Sequence, residues 1–246
     1  ADHLRLRAHA CDRASVGAMH RALSDVCARA LQGGFGWKIV CDSYEPEIAR
    51  YGGLAALHQC EQLFHLDSEI LCDFIHSEAA AIPVARRWLF AVLCVDALLD
   101  AFRQTLVQKR QLADSVAAAF RQEFQFGARQ KVQLGAKYRS YRKELDALIL
   151  GREADAASTA QRNAWLALLA PYRARMQQAA AQILALQQAG QLEAPLPDIL
   201  ASLIHMHCNR LFIANQRAHE AVFYDFLQRI YASMAAARPG APAPPA

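Results

Sequence analysis

The sequence predicts an α+β fold: a helix-dominated single domain with a small β-sheet. Three observations carry that expectation. Apolar residues recur at helical spacing through most of residues 54–235. His3 to Ala8 alternates instead with a period of two, the pattern of a half-buried strand. Trp37 to Val40 reads as a second short strand, and glycines and prolines punctuate the stretches between. With 246 residues, 54% of them hydrophobic, the chain can bury one sizeable core or two small ones.

In the first strand Leu4 and Leu6 would face the core and His3, Arg5 and Arg7 the opposite side. The two arginines would then project in parallel, roughly 6–7 Å apart. Ser15 is the expected N-cap of a helix with Val16, Met19, Leu23 and Val26 on one side, ended by Gly33-Gly34. A loop built on Tyr44-Glu45-Pro46-Glu47 follows the second strand, with Glu45 held extended by the proline. Helices are then expected over Leu54 to His76, Pro83 to Phe102 and Gln108 to Phe124, followed by a basic, aromatic segment from Lys131 to Lys143. Four more follow: Ala157 to Leu169, Tyr172 to Gln188, Asp198 to Phe212 and His219 to Ala235, broken by Pro171 and by Pro195-Leu196-Pro197. The domain is expected to span 1–237, with a mobile Pro/Ala-rich tail over 238–246.

The formal charge is only +4 and the basic residues are interleaved with acids, which argues against a nucleic-acid partner. A few arginines converging in one cleft would still suit an anionic ligand. The seven cysteines are irregularly spaced and include no Cys-x-x-Cys pair, so reduced, buried thiols are expected rather than disulfides or a structural zinc. Trp88 to Leu99 is too short to span a bilayer, and the N-terminus lacks the order of a signal peptide. A cytoplasmic protein without a membrane partner is the expectation. The chain starts at Ala1-Asp2 without an initiator Met, as a segment beginning inside an element would.

Chemistry concentrates in two places. Arg5 and Arg7, with Arg50 of Arg50-Tyr51-Gly52-Gly53, make a candidate carboxylate clamp, because guanidinium forks stay charged and match that anion. Pairing with Asp2, Glu45 or Glu47 is the competing reading. Gly52-Gly53 permits a close backbone approach. Late in the chain, Ser202, His205 and Asn209 share one helix face at offsets of three and four. His205 could be held in one tautomer and used as acid or base, with Asn209 orienting it or binding substrate backbone. A satisfied core histidine is the alternative. Arg210 is expected to pair with Glu220 or an anion. His205 and His207 point about 200° apart on a helix, so with Cys208 they do not make one metal site. Nucleotide-binding and serine-hydrolase motifs are absent, and no cofactor or metal is expected.

The chain resembles the C-terminal, elimination-type domain of class I lanthipeptide dehydratases, a family that includes stand-alone thiopeptide-type bacteriocin biosynthesis proteins. The matching pieces are His3-Leu4-Arg5-Leu6-Arg7, Tyr44-Glu45-Pro46-Glu47 with Arg50-Tyr51-Gly52-Gly53, Glu61 to Ser68 with Phe64 and Asp67-Ser68, and Ser202 to Leu211. They occur in family order. The resemblance implies glutamate elimination from glutamylated Ser or Thr of a ribosomally made precursor peptide, leaving dehydroalanine or dehydrobutyrine. It implies catalytic roles for His205, Arg50 and Arg7, and substrate binding by Arg5, Arg7, Arg50, Asn209 and Ser202. The implied partners are the precursor peptide and a separate glutamylation protein; a homodimer stays open. Pyridine-forming cycloaddition, another modification of a dehydrated peptide, and a non-catalytic peptide-binding role are the alternatives.

Overall fold

A computed structural model describes residues 5–10, 12–36, 38–78, 82–151 and 155–236. Contacts divide the chain into two units, Ala1–Glu47 and Ile48–Ala246. The fold is all-helical, and no strand occurs among the described residues.

The expected α+β class is therefore corrected. Residues 5–10 and 38–40 form no ladder, and Leu6, meant for the core, is 62% exposed. Alternation marks a strand only where a partner satisfies the backbone and a core covers one face. Neither condition is met here. His3, Leu4 and Trp37 lie outside the described residues, as does the expected tail. The first unit holds one α-helix, α1 (Ser15–Gln32), in which no described residue is fully buried. Ser15 is its first helical residue rather than its cap, and both its N–H and its hydroxyl donate to Asp12 Oδ1 at 2.7 Å. Arg7 lies over the Tyr44 ring, 5.3 Å from its centroid.

The second unit begins with a 3₁₀ turn, Ala49–Tyr51, and continues through α2 (Leu54–Ser77), α3 (Val84–Ala101), α4 (Leu106–Glu123) and α5 (Ala128–Leu145). A π-helical turn, Asp146–Leu150, leads to α6 (Ala156–Leu169), α7 (Arg173–Gln188), α8 (Leu196–Leu211) and α9 (Gln216–Ala236). These bounds follow the apolar periodicity and its proline breaks. The basic, aromatic segment from Lys131 to Lys143 falls inside α5. Thr105 starts α4 with a reciprocal capping box: its hydroxyl accepts from Gln108 N at 3.3 Å and its N–H donates to Gln108 Oε1 at 2.8 Å.

Phe74 of α2 stacks on Phe90 of α3 at 3.9 Å, and Trp165 of α6 meets both edge-on. α9 closes the other side against α3, α4, α5 and α8, burying Phe223, Phe226 and Tyr231. α8 packs against α2, α3, α4, α9 and the 3₁₀ turn. It is thus buried along one face, and a half-open stripe on the other carries Ala201, Ser202, His205, Met206 and Asn209. Cys60, Cys94 and Cys208 are buried thiols, while Cys41 and Cys72 are exposed. Burial, reinforced by Glu61, pushes the Cys60 thiol up to about 12, so it carries no reactive thiolate.

Candidate functional site

The open stripe of α8 brings together Ser202, His205 and Asn209 through helical spacing alone. Arg50, 152 residues earlier than Ser202, reaches the same stripe: its Nε donates to Ser202 Oγ at 3.1 Å. The turn that aims Arg50 depends on Gly52, whose φ is +84°. A β-carbon there would lie 2.6 Å from Ile199 Cδ1 of α8, and Glu193 N donates to Gly52 O at 3.1 Å. Gly52→Ala is accordingly expected to cost about 1–3 kcal/mol. Chemical denaturation at an unchanged slope reads this directly. An unchanged midpoint would show that the contact relaxes without cost.

His205 is 26% exposed and is tied on both ring nitrogens. Its Nδ1 donates to Glu220 Oε1 of α9 at 2.6 Å, and Asn209 Nδ2 donates to its Nε2 at 2.9 Å. In the neutral ring the proton therefore sits on Nδ1, and Nε2 is the basic atom facing the stripe. Glu220 is completely buried and its second oxygen accepts from Arg217 at 2.7 Å. Arg217 reaches on to Glu123 of α4 at 2.6 Å. Burial works against the Arg217 cation, yet the two carboxylates outweigh it and raise its pKa. The carboxylate behind His205 is thus compensated from its far side, so that Glu220 does not stand alone in the core.

A second ion cluster lies on the opposite face of α8. His207 Nδ1 donates to Asp67 Oδ1 of α2 at 2.6 Å, and Arg210 donates to Asp67 Oδ2 at 3.1 Å. Burial alone would raise the Asp67 carboxyl; the His207 and Arg210 charges and hydrogen bonds outweigh it and hold it below 3.8. Of the two partners expected for Arg210, Glu220 or an anion, Glu220 pairs with Arg217 and the anion is Asp67. Arg210 also covers the Phe64 ring at 4.8 Å, Phe64 meets Tyr51 edge-on at 5.1 Å, and Arg50 lies 5.6 Å from the Tyr51 centroid. Two touching rings with a cation at each end thereby connect the buried cluster to Arg50. The His207 side chain is only 4% exposed, its Nε2 has no hydrogen-bond partner among the described residues, and it lines a cavity of about 40 Å³ with Asp67, Cys94 and Met176.

Arg5 and Arg7 belong to the first unit, whereas Arg50, Ser202, His205 and Asn209 are assembled within the second. Among the described residues, no group of three or more His, Cys, Asp or Glu is placed to hold a metal ion. The spacing argument missed Glu220 and Asp67 as partners of the two histidines. Glu220 had one signal available, an acid opening the otherwise apolar run Ala221 to Tyr224.

A family model described as lantibiotic biosynthesis dehydratase, C-term, matches residues 1–231. The chain belongs to that family. No curated protein and no solved structure matches it. As a lantibiotic dehydratase C-terminal domain, it takes a lyase-type role in the biosynthesis of a ribosomally made peptide. Among the described residues, no helix is long and apolar enough to cross a membrane.

Proposed function

We propose that this lantibiotic dehydratase domain eliminates glutamate from glutamylated Ser or Thr of a precursor peptide. The observation that carries the reading is the His205–Glu220 pair behind an open face that also holds Arg50 through Ser202. In the reaction the Cα–H bond breaks, the Cα=Cβ double bond forms, and the Cβ–O bond breaks to release glutamate. His205 Nε2 takes the Cα proton or returns it to the leaving group; Nδ1 and Glu220 fix the ring for either transfer. Arg50 supplies positive charge to the departing carboxylate. Asn209 and Ser202 position His205 and Arg50 and contact the peptide.

The test is incubation of the purified protein with a peptide carrying one glutamylated serine. Mass spectrometry should show the dehydrated peptide and free glutamate. Arg50→Lys keeps the charge and loses the fork, and should lower kcat/KM by about ten-fold, the effect of about 1.4 kcal/mol. An intact glutamylated peptide after incubation with folded protein overturns the reading. A ring-containing product from an already dehydrated peptide would instead identify a cycloaddition enzyme, and tight binding without a mass change a peptide-binding protein.

A further inference from the structure

The second unit carries an open groove of about 600 Å³ between α4, α7 and α8, whose lining includes neither His205 nor His207. That volume lies within the range of about 300–1,000 Å³ usual for ligand sites. Its floor is apolar, with Leu112 and Leu200 buried beneath it. Its walls carry five glutamines, Gln104, Gln108, Gln111, Gln187 and Gln188, against two charged residues, Arg103 and Asp198. Gln104 and Gln108 are engaged in local hydrogen bonds, while Gln111, Gln187 and Gln188 make no side-chain hydrogen bond to a described residue.

We propose that this groove binds the backbone of an extended, uncharged peptide segment flanking the residue to be modified. A glutamine amide offers both a donor and an acceptor, the pair that a main-chain N–H and C=O present whatever the side chains are. A wall of such amides recognises a peptide chain and not an anion or a basic tract. The apolar floor takes the side chains that alternate inward from an extended chain. Continuity with the catalytic stripe is built into α8. Asp198 and Ala201 line the groove, and Ser202 and His205 follow at the same helical spacing. Ala201 to His205 is about 6 Å of helix rise, the length of about two residues of extended peptide. The groove would thus hold the chain from about two residues away from the reacting serine. The proposal rests on the elimination reading only for the identity of that residue.

Two measurements on the full chain separate the two ideas. The first is fluorescence anisotropy with a labelled, capped, uncharged twelve-residue peptide of Ala, Gly and Ser that carries no glutamate. The second is glutamate release from the same peptide glutamylated at its central serine, compared with a minimal substrate, glutamylated serine capped at both ends. Ser115→Trp with Ala181→Trp, both at exposed wall positions, should weaken peptide binding at least ten-fold. The same pair should raise KM for the long substrate with kcat retained, and leave kcat/KM for the minimal substrate unchanged. Gln111→Ala with Gln188→Ala should weaken binding at least three-fold without filling the groove, which guards against a folding artefact. Unchanged binding in both pairs, or no peptide binding by the wild type, overturns the groove. So does a concentration-dependent dimer that the tryptophan pair dissociates, since a second copy would then be the occupant. Peptide binding without glutamate release from either substrate would leave the groove standing and remove the elimination reading.

Discussion

Replacing His205 with alanine is expected to lower glutamate release by about 10²–10⁴-fold, the usual contribution of a positioned acid or base. The variant should fold, because the carboxylate it uncovers keeps a partner: Glu220 still accepts from Arg217, which is itself anchored on Glu123. The loss should fall on kcat, since Arg50 and Ser202 remain in place to bind. Glu220→Gln provides the contrast. It retains an acceptor for Nδ1 but removes the negative charge behind the ring, so the rate should fall by less than in His205→Ala. Glutamate release by folded His205→Ala within three-fold of wild type would dismiss the histidine from the chemistry and leave it a surface residue with good partners.

The largest effect on stability is expected at Asp67. Asp67→Ala removes the shared acceptor of His207 and Arg210, stranding an almost completely buried imidazole with neither nitrogen bonded. Breaking such a cluster from one side costs about 3–5 kcal/mol. In a chain of this size each kcal/mol lowers the melting temperature by about 2–4 °C. The acid dependence has a definite sign. The folded Asp67 carboxyl is held below its ordinary 3.8, so its stabilisation is fully present above that value. It is lost as the pH falls through the depressed folded value. The stability gap between wild type and Asp67→Asn should therefore be widest near neutrality and narrow below pH 3.8. Urea denaturation at several pH values measures it, and a gap independent of pH would show that the carboxylate charge contributes nothing.

Most helices were legible because they have an apolar stripe, several with a proline or glycine at a boundary, features that act within a few residues; α5, basic and aromatic, was not read as a helix. The expected sheet failed for the complementary reason. Arg5-Leu6-Arg7 alternates correctly, but a strand also needs a neighbour, and alternation says nothing of where that neighbour comes from. The same division runs through the site. Ser202, His205 and Asn209 could be placed on one face by counting, and the roughly opposite direction of His207 followed from the same geometry. What each histidine meets there could not be counted. Asp67 lies 140 residues from His207, and Glu220 arrives only after the chain has reversed from α8 into α9. Of the two partners left open for Arg210, Glu220 or an anion, the second holds, and for that reason the anion, Asp67, was not named.

The two histidines on opposite sides of α8 also restrict how this segment can be exchanged between relatives. A one-residue insertion upstream of His205 would turn the rest of the helix by about 100°, removing His205 from Glu220 and His207 from Asp67 in a single step. Substitutions can be tolerated one at a time, but a shift in helical register cannot. A chimera that transplants Leu196–Leu211 would have to bring Asp67 and Glu220 with it, so the heritable unit is the helix together with two acids supplied by other parts of the chain.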